Sequence, residues 1–429
     1  MSAFGARIAQ ARGHLLRDVT AGCAVGIFSV SEGMAFAAVG GFPPAVGLYA
    51  GIIPVVVAAV FVPNPLMITT LTSAVAITAR TALDRAHLNP ADPRAVAALT
   101  LTVGLVMAAL AVLGAGRLLT WIPRAALGAF SAAVALQILV GGLRHATGVR
   151  CRGPAGLGCL ASVLAEPGRI SLADAGLAVF CLGVWSVLHA QARLRALALP
   201  ATIVVATVIV TITTLPVPVT AALGAIPHSM PTPTRPLWSA IPSLGPGACM
   251  VAAAALAQAV SISATEPGSE RPQTGRAILA QAAANLAGAF CHALPVGGSL
   301  SRSAVAVAAG GRSRWTGLFA GIALAALVCV GGSWIGRIPL PAIGVLLGVI
   351  GAELLAARLA EARTFAHTSP RSFALFAGVF TLGALGSLGP ALVVSVAAGV
   401  AVRVVAAARV HHASLRASRT ATATKEPVG

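Results

Sequence analysis

The sequence predicts an all-α polytopic membrane protein with 14 transmembrane segments in two sets of seven. Three observations carry this. First, 57% of the 429 residues are hydrophobic and 9% are charged, against roughly 25% charged in soluble proteins; mean hydropathy is +0.91. Second, apolar runs long enough to cross a bilayer alternate with short loops marked by Pro, Gly and Arg. Third, the basic residues gather at the ends of those runs and favour one side. Together these exclude a soluble enzyme, a disordered chain and a disulfide-rich secreted scaffold. Strand-like alternation is missing, which argues against an outer-membrane barrel. The net charge of +18 reads as a topology signal, and no nucleic-acid partner is expected.

Residues 1–18 carry Arg7, Arg12 and Arg17 but no apolar core of a signal peptide, and read as a cytoplasmic N-terminal segment. The first seven-span repeat occupies 19–226, with spans near 19–38, 44–61, 67–82, 96–115, 123–142, 171–190 and 199–220. A Pro-rich connector follows at 227–246, through which no helix is expected to run, since it holds Pro231, Pro233, Pro236 and Pro242. The second repeat occupies 247–410, with spans near 246–264, 275–293, 299–309, 316–335, 339–357, 373–388 and 390–410. Residues 411–429 form a short basic tail, expected to be cytoplasmic.

With both termini inside, 19 of the 29 Lys and Arg lie on the cytoplasmic side, 9 lie outside, and Arg302 falls within a span. That bias supports the even span count. Seven spans per half means that two halves of one fold insert in opposite senses, so an inverted repeat is expected. Such repeats hold substrate where short, broken helices meet at the midplane. The third span of each half looks interrupted: one opens with Asn64, Pro65 and Thr69 to Ser73, the other with Pro295 to Ser303.

These segments carry the candidate chemistry. Pro295, Gly297 and Gly298 favour a break, and Ser299 suits the N-cap of a short helix. The free N–H groups of that helix start, with Arg302 in its first turn, make an anion site. A kinked helix whose Arg302 merely pairs with a carboxylate is the rival account, yet an intramembrane Arg costs about 2.5 kcal/mol or more to insert. The Thr69–Ser73 cluster would face it from the other half. Glu32 is the acid well inside the first span. It is expected either to bind a proton or to form a static ion pair with Arg302.

Other polar residues point to less. His189 and His292 read as structural. Of seven Cys, Cys23, Cys181, Cys249, Cys291 and Cys329 lie in apolar runs and are expected in the core. Cys151 and Cys159 share a loop and could pair in an oxidising compartment. Metal-ligand spacing, a phosphate loop and a nucleophile elbow are missing, so no cofactor, metal or enzyme activity is expected.

Four stretches resemble the SulP (sulfate permease) family of anion transporters. They are Asp18 to Gly22; Gly33-Met34-Ala35-Phe36-Ala37 followed by Gly41 to Tyr49; Ala280 to Phe290; and Leu294 to Ala304, which is similar to the family's PVTGSFSRSA motif. The resemblance covers roughly residues 15 to 410. It implies a 7+7 inverted repeat with core and gate domains, and an anion held between the N-termini of spans 3 and 10. Core motion against the gate would then carry the anion across, like an elevator. By position, the implied substrate site is Gly298, Ser299, Leu300, Ser301 and Arg302 from span 10, with Thr72 and Ser73 from span 3. Span 1 would add Glu32 and Phe36, and span 8 Gln258 and Ser261.

Three departures stand out. The family usually continues into a cytoplasmic STAS domain, whereas about 20 residues follow the last span here, so none is expected. Thr70-Leu71 stands where the family usually has Gly-Pro, which suggests a softer helix break. Glu32 stands where the family usually has Gln, and Gln258 where it often has an acid. Proton–anion symport with Glu32 as the coupling residue is therefore expected, for sulfate, bicarbonate or a C4-dicarboxylate. A nucleobase or aromatic-acid permease shares this fold but places acids in spans 8 and 10. A non-transporting scaffold or sensor is the third reading, favoured if Glu32 stays locked to Arg302. Expected partners are a second copy of the chain, protons and membrane lipid. Arg403, Arg409, Arg416, Arg419 and Lys425 could meet lipid headgroups. The expected location is a plasma (inner) membrane.

Overall fold

The chain starts several of its helices where the sequence provides a side-chain cap. A computed structural model describes residues 3–62, 66–114, 123–149, 156–191, 194–195, 198–223, 227–263, 274–385, 391, 394–395 and 397–399. Helices α1 (Ala3–Val39), α2 (Pro44–Tyr49) and α3 (Ile53–Phe61) come first. A short strand β1 (Ile68–Thr70) leads into α4 (Ser73–Arg85), then α5 (Pro93–Val112) and α6 (Arg124–Thr147). Helices α7 (Leu157–Ala165), α8 (Leu172–Ala190) and α9 (Ala198–Thr213) complete the first half. The second half holds α10 (Ile241–Ser263), α11 (Thr274–Ala289), β2 (Gly297–Ser299) and α12 (Leu300–Ala308). It continues through α13 (Trp315–Val330), α14 (Gly332–Ile335), α15 (Leu340–Thr368) and α16 (Pro370–Ala384).

Cap chemistry is explicit at several starts. Asp92 accepts from the Arg94 N–H at 2.8 Å, with Pro93 as the first residue of α5. Ser171 and Ser369 cap α8 and α16 by accepting from the Asp174 and Ser372 N–H groups, each at 3.3 Å. Among the described residues, seven helical stretches are long and apolar enough to cross a membrane, one of them α2 and α3 taken together, and two shorter apolar helices accompany them. Helix α8 exposes Leu172, Val179, Phe180, Leu182 and Val187. Such a face is costly in water and comfortable in hydrocarbon. The fold is a polytopic all-α membrane fold, as the sequence predicts.

The expected spans and the helices differ in instructive ways. The second span is split, with α2 and α3 flanking Ala50 to Ile52. Helix α10 starts at Ile241, inside the stretch assigned to the connector at 227–246. Pro242 is its second residue, where the missing N–H would have no partner anyway, and Pro246 is accommodated farther in. Most of the span expected at 390–410 lies outside the described residues, and all of the tail at 411–429 does. Of the cysteines expected in the core, Cys181 is buried, Cys291 is intermediate, and Cys23, Cys249 and Cys329 are exposed. Cys159 is disulfide-bonded; Cys151, its suggested partner, lies outside the described residues.

Helices from the two halves interleave. Helix α1 packs on α13, α5 on α11, α4 on α10 and α3 on both α11 and α13. A second group joins α6 to α15 and α16, and α9 to α8. Thus each group draws on both halves of the sequence. Asp18 fastens α1 to the turn between α12 and α13. Its carboxylate accepts from the backbone N–H groups of Arg312 (2.7 Å) and Ser313 (3.0 Å), and from the hydroxyls of Ser313 (2.5 Å) and Thr316 (2.9 Å). Where the chain crosses between the groups, Thr220 donates its N–H and its hydroxyl to the Ile338 carbonyl (2.8 and 2.7 Å).

Candidate functional site

Two interrupted spans meet through their backbones. Strand β1 pairs antiparallel with β2, aligning Ile68 with Ser299, Thr69 with Gly298 and Thr70 with Gly297. The ladder satisfies backbone groups that irregular chain would leave unpaired at membrane depth. It also fixes the starts of α4 and α12 close together. Thr72 caps α4 by accepting from the Val75 N–H at 3.3 Å, and Ser299 caps α12 by accepting from the Arg302 N–H at 3.4 Å. With Thr70-Leu71 in place of Gly-Pro, the break expected to be soft is a full strand.

Gly298 lets β2 lie flat on α10. A methyl group there would sit 2.9 Å from the Ala259 Cα, too close for any real Cβ. Ser303, on α12, accepts from the Ile68 N–H at 3.0 Å and ties the two interrupted spans a second time.

Arg302 is fully buried and is the largest such side chain in the described residues. Its Nε lies 3.2 Å from Glu32 Oε2, its Nη1 donates to the Leu71 carbonyl at 2.8 Å, and its Nη2 donates to the Ser29 carbonyl at 3.4 Å. Glu32 is also fully buried, and its Oε1 accepts from the Ser301 hydroxyl at 2.5 Å. The guanidinium therefore bridges α12, the approach to α4, and α1. Ser299 and Ser301 hydroxyls lie 3.2 Å apart.

Sequence reasoning named most of these residues, and the structure joins Glu32, Ser299, Ser301 and Arg302 directly. Thr72 donates its hydroxyl to Gln258 Oε1 at 2.8 Å, which brings α10 to the mouth of α4. Phe36 lies one turn beyond Glu32 and packs in the cluster that holds Leu71 and Val75. Leu300 is the first residue of α12 and is buried. Ser73 is partly exposed at the start of α4. Ser261 falls on α10, one turn beyond Gln258, but its side chain lies outside those described.

The sequence reading passed over Asn285. Its side chain donates to the Val296 carbonyl at 2.9 Å and accepts from the Val296 N–H at 2.9 Å. This fork holds the residue that precedes β2. A lone amide inside the apolar run Ala282 to Phe290 was the available signal. We expect Asn285→Ala to lower thermal stability by about 2 kcal/mol or more, because both backbone groups of Val296 lose their partner. Uptake should fall in parallel. Thermal unfolding of the purified protein alongside uptake would check this, and an unchanged melting temperature would deny the clamp.

The arrangement suits an anion. Two capped helix N-termini converge with the positive ends of their dipoles, one guanidinium supplies charge, and one carboxylate competes for it. Among the described residues, no group of three or more His, Cys, Asp or Glu could hold a metal.

Comparison with known proteins bears on the fold and lineage. The "Probable sulfate transporter MT1781" of Mycobacterium tuberculosis is 29% identical over 390 residues, covering 87% of this chain and 67% of that protein. This chain therefore spans about two-thirds of the length of that curated relative. Among solved structures, the murine Solute Carrier 26 family member A9 anion transporter in the inward-facing state matches with a TM-score of 0.72 at 19% identity. That match covers 91% of this chain and 68% of the other. The transmembrane domain of the cyanobacterial bicarbonate transporter BicA matches with a TM-score of 0.65 at 19% identity, covering 89% and 97%. Both likenesses concern the fold. The family model of the sulfate permease family matches residues 15–379, and the chain belongs to that family.

Proposed function

We propose that this protein is a proton-coupled secondary transporter of a small anion, with sulfate, bicarbonate and C4-dicarboxylates as the candidates. The observation that carries the reading is the fully buried Arg302 at the start of α12, paired with a single carboxylate, Glu32. Such a group is expensive in a membrane unless it works. Membership of the sulfate permease family, and a relative named a probable sulfate transporter, support anion transport.

The proposed cycle follows from the contacts. Ionised Glu32 holds the Arg302 Nε and the Ser301 hydroxyl. A proton on Glu32 removes its charge and weakens both grips. An arriving anion then takes the guanidinium, the Ser301 hydroxyl and the free N–H groups at the starts of α4 and α12. The group built on α1 and α13 slides against the group built on α6 and α15, carrying the site across. We place both termini in the cytoplasm of a bacterial cell and expect a homodimer in the inner membrane.

Binding in this cycle requires the protonated carboxyl, so uptake rises as the outside pH falls and is lost as it rises. Uptake of labelled sulfate, bicarbonate and fumarate into proteoliposomes, with and without an inward proton gradient, tests the proposal. Glu32→Gln is expected to flatten the pH profile, and a variant that keeps the wild-type profile would remove Glu32 from coupling. The same ion pair, if permanent, favours a non-transporting anion sensor; folded protein that takes up no anion would support that alternative.

A further inference from the structure

We propose that Glu32 is a built-in counter-anion for Arg302, so that the site accepts one monovalent anion with one proton and moves no net charge. This rests on the proton-coupled reading above and adds the valence of the substrate to it.

Glu32 is held as a bound oxyanion would be. Both carboxylate oxygens face the first turn of α12: Oε1 accepts from the Ser301 hydroxyl, and Oε2 lies 3.2 Å from the Arg302 Nε as an ion pair without a hydrogen bond. The other Arg302 partners are neutral carbonyls, those of Leu71 and Ser29. Neutralisation of the guanidinium therefore falls to Glu32. Among the described residues, neighbouring elements bring little else. Helix α2 offers Tyr49, α13 offers Cys329, and α9 has no titratable residue. Helix α4 carries Arg80, Asp84 and Arg85 near its far end, where Arg80 and Asp84 pair with each other at 2.8 Å. Helix α15 carries Glu353, Arg358, Glu361, Arg363 and His367 in its second half, with Arg358 paired to Glu361 at 3.0 Å.

Charge accounting then restricts the cargo. Without cargo, Arg302 and ionised Glu32 cancel. With a proton on Glu32 and a monovalent anion on Arg302, the site is again neutral. The proton binds from outside and leaves inside, the anion does the same, and no bond is made or broken in the cargo. A divalent anion would leave the loaded site negative. The helix ends contribute dipoles without net charge. Moving an uncompensated charge through hydrocarbon is expensive, so neutrality in both directions favours net uptake. Of the three candidate anions, bicarbonate is monovalent at neutral pH, whereas sulfate and fumarate are divalent.

Proteoliposomes holding the wild-type protein under an inward proton gradient provide the test. The membrane potential is clamped with K+ and valinomycin, at zero or inside-negative, and the probes are bicarbonate, nitrate, sulfate and fumarate. Proton-driven uptake of a monovalent probe should change less than about twofold with potential, and sulfate and fumarate should enter at least about tenfold more slowly. Proton-driven uptake that prefers a divalent probe, or that an inside-negative potential suppresses, overturns the counter-anion role and leaves proton coupling standing. Uptake indifferent to the proton gradient, or no uptake by folded protein, overturns both. In Glu32→Gln the unloaded site keeps a positive charge, so the ratio of anion exchange to net uptake should rise at least about tenfold. Both rates come from the same vesicles, so a folding defect cancels. An unchanged ratio overturns the inference.

Discussion

Arg302→Gln is expected to abolish proton-driven uptake and to destabilise the protein by about 3–5 kcal/mol. Loss of uptake follows from removing the charge at the start of α12. Loss of stability has a different source. Glu32 is fully buried, and deleting its partner strands a carboxylate away from water. The double variant Glu32→Gln with Arg302→Gln removes both charges and should regain much of the stability while remaining inactive. Arg302→Lys keeps the charge but cannot span Glu32, Leu71 and Ser29 with one planar fork, so it should fall between wild type and Gln. Thermal unfolding in detergent and uptake in proteoliposomes separate the two effects. Wild-type uptake in Arg302→Gln would remove this residue from the anion path, and a double variant no more stable than the single one would deny the charge argument.

Gly47→Val is expected to be nearly as damaging, although residue 47 touches no proposed substrate. Helices α1 and α2 cross at Gly33 and Gly47. A methyl at Gly47 would overlap the Gly33 carbonyl oxygen and lie 2.9 Å from the Ala37 Cβ. A methyl at Gly33 would lie 2.8 Å from the Gly47 carbonyl oxygen and 3.5 Å from Arg302 Nη2. Added bulk therefore pushes α1, and Glu32 with it, away from α12. Overpacking of this kind costs about 1–3 kcal/mol, and displacing a functional group by 1 Å can cost about a hundredfold in rate. Gly183→Ala, in the interior of α8, is the control, because a methyl there meets nothing within 4 Å; it should leave uptake unchanged and raise stability by at most about 1 kcal/mol. Uptake by Gly47→Val at the wild-type rate would show that the crossing tolerates separation.

Much of this architecture was legible because a membrane simplifies the signals. Apolar runs give spans directly, and an Arg inside one, as at Arg302, draws attention by its cost. Pro295, Gly297, Gly298 and Ser299 together announced the break and the cap. The break between α2 and α3 was harder to see. Its residues Ala50, Gly51 and Ile52 are apolar like their neighbours, and the signal of a span is blind to a local loss of helix. The contact made by Asn285 was hidden for another reason: which backbone an amide will clamp depends on tertiary placement. Main-chain partners such as Leu71 and Ser29 leave no mark in side-chain chemistry at all. The pairing of β1 with β2 was likewise invisible, since three-residue strands have no period to detect.

That pairing also bears on how the protein is made. Ile68 to Thr70 find their ladder partners at Gly297 to Ser299, more than 200 residues later in the chain. During synthesis the first half enters the membrane with the amides and carbonyls of β1 still waiting for a mate. The lipid cannot supply one. The early half must therefore remain sheltered by the insertion machinery, by water or by a temporary partner until β2 emerges. The tie that completes β1 is also the one that assembles the site, so a chain halted at the connector would hold half the machinery and an unfinished strand in the bilayer.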